Sequence, residues 1–357
     1  MRKLLVASLL MLGGGAFAQT QVSEYRPGVT EEGAVYFLPK TVLRFVVQVE
    51  KTTYTPGEFC KYAGRYLRMN GVGTEPSVSY KVNTINMTTY GEADKSKCYA
   101  VKFNAKTAAS NVVLSDGGVL LAVNAQARKP VEPAEFRPAR RPAAVNPKQY
   151  LSEEILAAGS TAKMAELTAQ EIYDIRESKN ELNRGEADYM PKDGEQLRIM
   201  LANLTAQDNA LTQLFTGSTA RDTIEYVLTM CPDKEIDRQV LFRLSQKLGL
   251  VECDDLSGEP YYITLTDGHS VPQAPAGQPE GKKKKSAENG IYVNVPGKIT
   301  VSISHGGSEL GSFDTYAGQF GNTELLSGEL FNKRYTTHLT LNPATGGIDK
   351  LEAEQPE

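Results

Sequence analysis

The chain has 357 residues, a formal net charge of −4 and 40% apolar residues. A chain of this length fits one to three domains and can bury real cores. The mildly acidic balance gives no support for nucleic-acid binding as the main task.

The first eighteen residues have the pattern of a secretory signal peptide. Arg2 and Lys3 precede an apolar run over residues 4–12, and Ala16-Phe17-Ala18 places small residues at the two positions that signal peptidase recognises before it cleaves. The run is shorter than the ~20 residues that span a bilayer. We therefore expect cleavage near Ala18-Gln19. The mature protein should be soluble, without a transmembrane segment, in the periplasm, at the cell surface or outside the cell.

Residues 19–125 read as an N-terminal β-rich module. Alternating β-branched residues predict a strand over residues 34–51, and further strands are expected near 77–90 and 98–104. Apolar residues at helical spacing predict a short helix over 58–67. Asp116-Gly117 lies between two apolar runs, 111–114 and 119–124, which predicts a β-hairpin.

A proline- and arginine-rich segment, residues 126–149, follows and reads as a linker. Residues 150–217 then predict an antiparallel helical hairpin. Ser160 or Thr161 caps a first long helix that ends near Gly185, while Asp193 with Gln196 forms a capping-box pattern for a second helix that ends at Gly217.

Residues 218–357 read as a C-terminal β module. Strands are expected over 223–230, 261–266, 291–295, 298–304, 335–341 and 348–351. Residues 237–248 fit a helix or a strand, and a strand over 240–244 is preferred. A lysine-rich loop near 271–290 should stay open because its like charges repel. The predicted fold class is α+β, with β-rich N- and C-terminal modules around the hairpin. Whether these modules form one domain or two stays open.

The cysteine count suggests disulfides if the protein is exported. Three pairings are open, and we favour Cys60–Cys98 and Cys231–Cys253 because each pair lies within one predicted module. The alternative is four free buried thiols. No C-x-x-C motif occurs, so neither a redox motif nor a cysteine zinc site is indicated.

Short stretches along the chain carry a family resemblance. They are Tyr25-Arg26-Pro27-Gly28-Val29, Tyr36-Phe37-Leu38-Pro39-Lys40, Tyr54-Thr55-Pro56-Gly57, Tyr62-Ala63, Tyr66-Leu67, Ile175-Arg176-Glu177-Ser178, Met190-Pro191-Lys192-Asp193-Gly194, Phe215-Thr216-Gly217, Ala317-Gly318-Gln319-Phe320-Gly321 and the turn at residues 342–346. Together they resemble an uncharacterised family of exported proteins from anaerobic Gram-negative gut bacteria. The resemblance implies this fold and export, but it does not indicate any particular activity.

Residues that could carry chemistry are few and scattered. The three histidines, His269, His305 and His338, are far apart in sequence, and no H-E-x-x-H pattern occurs. Ser160 with Lys163 matches the S-x-x-K spacing of penicillin-binding enzymes, although a helix cap explains it more simply.

Other candidate groups also have structural explanations. His305-Gly306-Gly307 resembles an esterase oxyanion loop but also a tight turn. The acidic residues around Asp254-Asp255 could hold calcium or form a turn. The tyrosines could line a glycan site or pack in a core.

The leading functional hypothesis is an exported, non-catalytic cell-envelope protein that binds or assembles with an unknown envelope protein or glycan. No cofactor and no metal is expected. An exported hydrolase and a periplasmic glycan or small-ligand binder are the alternatives. The expected contact surface is the tip of the helical hairpin: Glu186, Asp188, Tyr189, Met190, Lys192 and Asp193.

Overall fold

The structure is a computed structural model that describes residues 21–24, 34–102, 111–130, 133–139, 145–272, 290–331 and 336–354. The predicted signal peptide, part of the predicted linker and most of the lysine-rich loop lie outside the described residues. The rest forms three antiparallel sheets and a helical hairpin. It has the predicted α+β character.

The first sheet contains the two longest strands of the described residues, which pair antiparallel. Its order is β1 (Gln21–Glu24), β3 (Ser77–Lys102), β2 (Ala34–Thr55) and β6 (Ser218–Met230). The two strands predicted near 77–90 and 98–104 are one, because β3 stays paired with β2 along its length. Pro39 has no N–H to donate, and it lies at a register shift of this pairing.

The second sheet has the order β11 (Ser308–Ser327), β10 (Gly290–His305), β9 (Glu259–Asp267), β7 (Ile236–Ser245) and β8 (Gly249–Val251). The preferred strand over 240–244 is confirmed. The strands predicted over 291–295 and 298–304 are one strand, with Pro296 at a register shift between Val295 and Gly297. Strand β11 was not predicted from the sequence.

The third sheet has the order β13 (Ile348–Glu354), β12 (Thr336–Leu341), β5 (Leu120–Val123) and β4 (Val112–Leu114). The hairpin predicted at Asp116-Gly117 joins β4 to β5. Strand β5 also pairs with β12, and β2 pairs with β6. Strands from both predicted β modules therefore share two of the sheets.

Two cores lie between the sheets. Alternate residues of β2, namely Leu43, Phe45, Val47 and Val49, face the second sheet and are fully buried. The beginning of β2 contributes Tyr36 and Leu38 to a second core with residues of β5, β10 and β12. One strand thus contributes to both cores, because side chains on one face of a strand alternate with those on the other.

The described elements outside the sheets are helices and 3₁₀ turns. A 3₁₀ turn (Cys60–Tyr62) leads into α1 (Ala63–Tyr66), and a second (Pro147–Tyr150) precedes α2 (Glu153–Leu156). The long helices are α3 (Thr161–Arg184) and α4 (Gly194–Thr216), and a 3₁₀ turn (Gly328–Phe331) precedes β12. The caps predicted from the sequence are confirmed: Ser160 accepts from Lys163 N, and Asp193 accepts from Gln196 N.

The disulfide prediction is wrong, since all four cysteines are free. Cys98 lies opposite Phe37 at the beginning of β2, whereas Cys60 follows the other end of that strand. At ~3.3 Å per residue this places them tens of ångströms apart, and disulfides require about 7 Å or less between Cα atoms. The Cys231 Sγ contacts Thr41 O, while the Cys253 Sγ contacts Leu241 O. The alternative of four free buried thiols is right only in that the thiols are free, because Cys60 and Cys98 are half-buried and Cys231 and Cys253 are exposed.

Candidate interaction surface

The helical hairpin is fixed at its base to the end of strand β2. The Tyr54 hydroxyl donates to Thr216 O at 3.0 Å, and Phe59 N donates to Leu214 O at 2.7 Å. A Cβ at Gly57 would lie 2.2 Å from Leu214 O, so only glycine permits this approach. The base of the hairpin therefore has a defined position on the first sheet.

The half of the hairpin next to this base is buried in a helical core. Its buried residues are Phe59, Ala63, Leu67, Leu151, Ile155, Ala165, Ala169, Ile172, Ile175, Leu211, Leu214 and Phe215. Phe59 and Phe215 pack with ring centroids 5.4 Å apart. Burial of this many apolar side chains gives the proximal half its stability.

An ion cluster joins the two helices where this core ends. Asp208 on α4 is 9% exposed and contacts Arg176 at 3.1 Å and Lys179 at 3.4 Å on α3. Its carboxylate also accepts from the Thr212 hydroxyl at 3.1 Å. Burial alone would raise the pKa of Asp208, but the hydrogen bond and charge of Arg176, with Thr212 and Lys179, lower it. In the sequence, Lys179 and Asp208 only interrupt the apolar stripes of the two helices, and no local pattern predicts this cluster.

Beyond the ion cluster, the distal half of the hairpin leaves apolar side chains accessible. The α4 residues Leu197, Met200 and Leu201 share one helix face and are only half-buried, and Ile199 is 46% exposed. Leu204 is also half-buried, but it packs against the helical core. On α3, Leu182 is buried. From Asp208 to the beginning of α4 the helix extends roughly 20 Å, at ~1.5 Å per residue. We call this part of the hairpin, residues 180–207, the distal arm.

The predicted contact residues all lie together at the tip of the distal arm. All six are exposed, and the side chain of Tyr189 is the most exposed apolar group among them, at 68%. Glu186 pairs with Arg184, and Asp193 caps α4, so two of the six also have local structural roles. Tyr189 and Met190 have no such role. Their function in binding stays a prediction.

Ser160 has the geometry of a helix cap. Its Oγ accepts from the backbone N of Lys163 at 3.3 Å, and the Lys163 ammonium contacts Glu166 at 3.1 Å. Ser160 is exposed. The lysine therefore does not approach the serine as a base would need to do.

The three histidines lie at separate places. His269 contacts Asp267, His338 contacts Glu354, and His305 contacts Glu259. No group of three or more His, Cys, Asp or Glu side chains in the described part of the chain could hold a metal ion. The acidic stretch near Asp254 forms a turn, in which Asp255 accepts from Ser257 N at 2.9 Å.

An open cleft lies between strand β3 and the end of the second sheet. Its volume is about 810 Å³, and amide, hydroxyl and charged side chains line much of it, including Asn83, Asn86 and Glu50. At one wall the His305 ring stacks on Tyr261, with ring centroids 4.1 Å apart, and Tyr261 stacks on Phe242 at 4.4 Å. No local sequence pattern predicts this cleft, because its lining residues come from six strands: β2, β3, β7, β9, β10 and β11.

Several stretches that carry the family resemblance meet at one buried polar junction. The Asn294 amide, 1% exposed, donates to Pro39 O at 3.0 Å and to Thr345 O at 2.9 Å. Thr41 accepts from Gly318 N and donates to Ala344 O. These stretches therefore have a structural role in joining the three sheets.

Lys97 lies beside this junction and contacts Asn294 Oδ1 at 3.3 Å. Burial lowers the pKa of Lys97, although the nearby Asp94 carboxylate opposes the change.

Among the helices of the described residues, none combines the length and the apolar character that a membrane span requires.

Comparison with known proteins identifies the family. No curated protein and no solved structure matches this chain. Residues 32–349 match the family model described as "Domain of unknown function (DUF4831)". Because this match covers most of the chain, the protein belongs to the DUF4831 family.

Proposed function

We propose that this protein is an exported, non-catalytic component of the cell envelope that binds another protein through the distal arm of its helical hairpin. One observation carries the proposal: apolar side chains are buried along the proximal half of the hairpin, whereas those that α4 contributes to the distal arm remain partly accessible. Accessible apolar groups that cluster on one element are typical of interaction sites.

The composition of the tip favours a protein partner. Tyr189 and Met190 offer a large aromatic and a flexible apolar side chain, and both types are enriched at protein interfaces. Glu186, Asp188 and Lys192 surround them with charge and would form a polar rim. The stretch from Met190 to Gly194 carries part of the family resemblance, yet it makes no core contact. The capping role of Asp193 gives a structural reason for only one residue of this stretch.

Photo-crosslinking from the tip tests this proposal. A photoreactive amino acid replaces Tyr189 in cells that make the protein, and the matched control carries it in place of Tyr316, an exposed tyrosine on β11. We expect a discrete protein adduct from position 189 that Met190→Glu removes, and none from position 316. The absence of an adduct from position 189, or the same adducts from both positions, would contradict the proposal.

The proposal of export rests on the N-terminal pattern and has its own test. The mass of the protein isolated from its cells should correspond to a chain that begins at Gln19. Cell fractionation should recover this form outside the cytoplasm. An intact Met1 on protein retained in the cytosol would refute export and leave the role of the distal arm to be tested separately.

A second candidate function is supported by the cleft beside His305. Its size lies within the ~300–1,000 Å³ of small-ligand sites, and its amide and hydroxyl lining suits a neutral glycan. Titration with a panel of soluble oligosaccharides, followed by NMR, would test it. We expect shifts near Asn83 and His305 that Asn83→Ala weakens at least tenfold. Titration of the whole panel without such shifts would exclude this candidate.

A further inference from the structure

Strand β13 forms an exposed edge of the third sheet. Among the described strands it pairs with β12 alone, and each of its seven residues is exposed. An edge strand presents unpaired N–H and C=O groups that can pair with another strand. Strand β13 contains no proline that would block this pairing.

An aliphatic row across the third sheet ends at this edge. Val112, Val123, Leu339 and Leu351 are successive cross-strand partners on one face. Val123 and Leu339 are fully buried, but Leu351 is 41% exposed. The row therefore lacks a neighbour at the position where a further strand would place one.

The charges of β13 are complementary to those of a second copy. If two β13 strands pair antiparallel about a twofold axis at Leu351, Lys350 of each copy lies opposite Glu352 of the other. Leu351 then meets its own equivalent and continues the aliphatic row. Moving the axis by one residue in either direction would place two lysines or two glutamates opposite each other. The sequence of the strand thus selects one register.

We propose that two copies of this chain associate through β13 to form a continuous eight-stranded antiparallel sheet. The contact is a single strand pair with few apolar side chains, so the association should be weak and concentration-dependent. It would place two distal arms on one assembly. The inference does not depend on whether the arms bind a partner.

Charge exchange across the strand pair tests the proposal. The dimer dissociation constant of the purified protein is measured by analytical ultracentrifugation over a concentration series. Lys350→Glu and Glu352→Lys, each alone, should weaken association at least tenfold, because each creates two like-charge pairs. An equimolar mixture of the two variants should form a heterodimer, and the double variant should dimerise as the unsubstituted chain does. Lys247→Glu, at an exposed position outside the sheet, is the control and should have no effect.

Circular dichroism melting of each variant checks that the fold is retained. The proposal is overturned if the unsubstituted chain stays monomeric at the highest concentration reached. It is also overturned if a dimer forms that neither single substitution weakens, or if the two folded single variants fail to associate when mixed.

Discussion

The ion cluster between the long helices should contribute measurable stability that depends on pH. The substitution Asp208→Asn keeps the size of the side chain but removes its charge. The amide oxygen can still accept from Arg176, whereas Lys179 loses its carboxylate partner and the amide nitrogen has no acceptor in its place. The variant therefore isolates the charge of Asp208 from its shape.

The size of the effect follows from the environment of the carboxylate. Asp208 is 9% exposed, while the Arg176 and Lys179 side chains are 34% and 23% exposed, so water partly screens the cluster. Hydrogen bonds to charged groups contribute about 1.5–3 kcal/mol each, and solvent reduces that value here. We expect Asp208→Asn to lower the free energy of unfolding by about 2 kcal/mol at neutral pH.

The pH dependence of this loss has a definite sign. The pKa of Asp208 lies below its ordinary value of 3.8 in the folded protein, so its contribution is fully present above that value. It is lost as the pH falls through the lower pKa of the folded state. The difference between the two proteins should therefore be constant near neutral pH and should close in acid.

Urea unfolding followed by circular dichroism measures this difference at a series of pH values. The control is Asp174→Asn, an exposed aspartate on α3 two residues before Arg176, which should change stability by less than about 0.5 kcal/mol. Equal stability of Asp208→Asn and the unsubstituted protein at neutral pH would refute the reasoning. So would a difference that persists unchanged in acid.

Three further predictions concern the sheets and the thiols. Gly91→Ala should cost about 2 kcal/mol of unfolding free energy, because its Cβ would lie 2.1 Å from Pro343 O. The control Gly159→Ala should be tolerated, because its Cβ would meet nothing within 4 Å. Urea unfolding compares the two variants, and equal stability would contradict the predicted clash at Gly91. Asn294→Leu should cost roughly 3 kcal/mol in the same assay, because it leaves two carbonyl groups of the polar junction unpaired, and a loss below about 1 kcal/mol would show that the junction is not needed. Alkylation of the denatured, unreduced protein should add four adducts by mass spectrometry, and fewer adducts without a reductant would reveal a disulfide.

The elements that the sequence predicts well are those with strong local signals. Helices α3 and α4 begin and end within a residue or two of the predicted positions, since Ser160, Asp193 and Gly217 act locally as caps and stops. The hairpin at Asp116-Gly117 is correct for the same reason, because its turn depends on adjacent residues.

The features that the sequence missed depend on contacts between distant segments. Strand β11 is polar and glycine-rich, and it is a strand because it pairs with β10 along its length. The favoured Cys60–Cys98 disulfide failed because proximity within a predicted module does not bring the two ends of a long strand together. The ion cluster at Asp208 and the cleft at His305 likewise need the packed structure, since no local pattern links Asp208 to Arg176 or His305 to Asn83.

We propose that the distal arm is occupied by a partner in the cell envelope, and its protection there can be measured directly. Hydroxyl-radical footprinting compares the oxidation of Tyr189 and Met190 in isolated envelopes with that in the purified protein, with Tyr316 as the internal reference. We predict that the tip is oxidised rapidly when the protein is pure and several-fold more slowly in the envelope, while Tyr316 reacts equally in both. Equal oxidation of the tip in both preparations would contradict the claim.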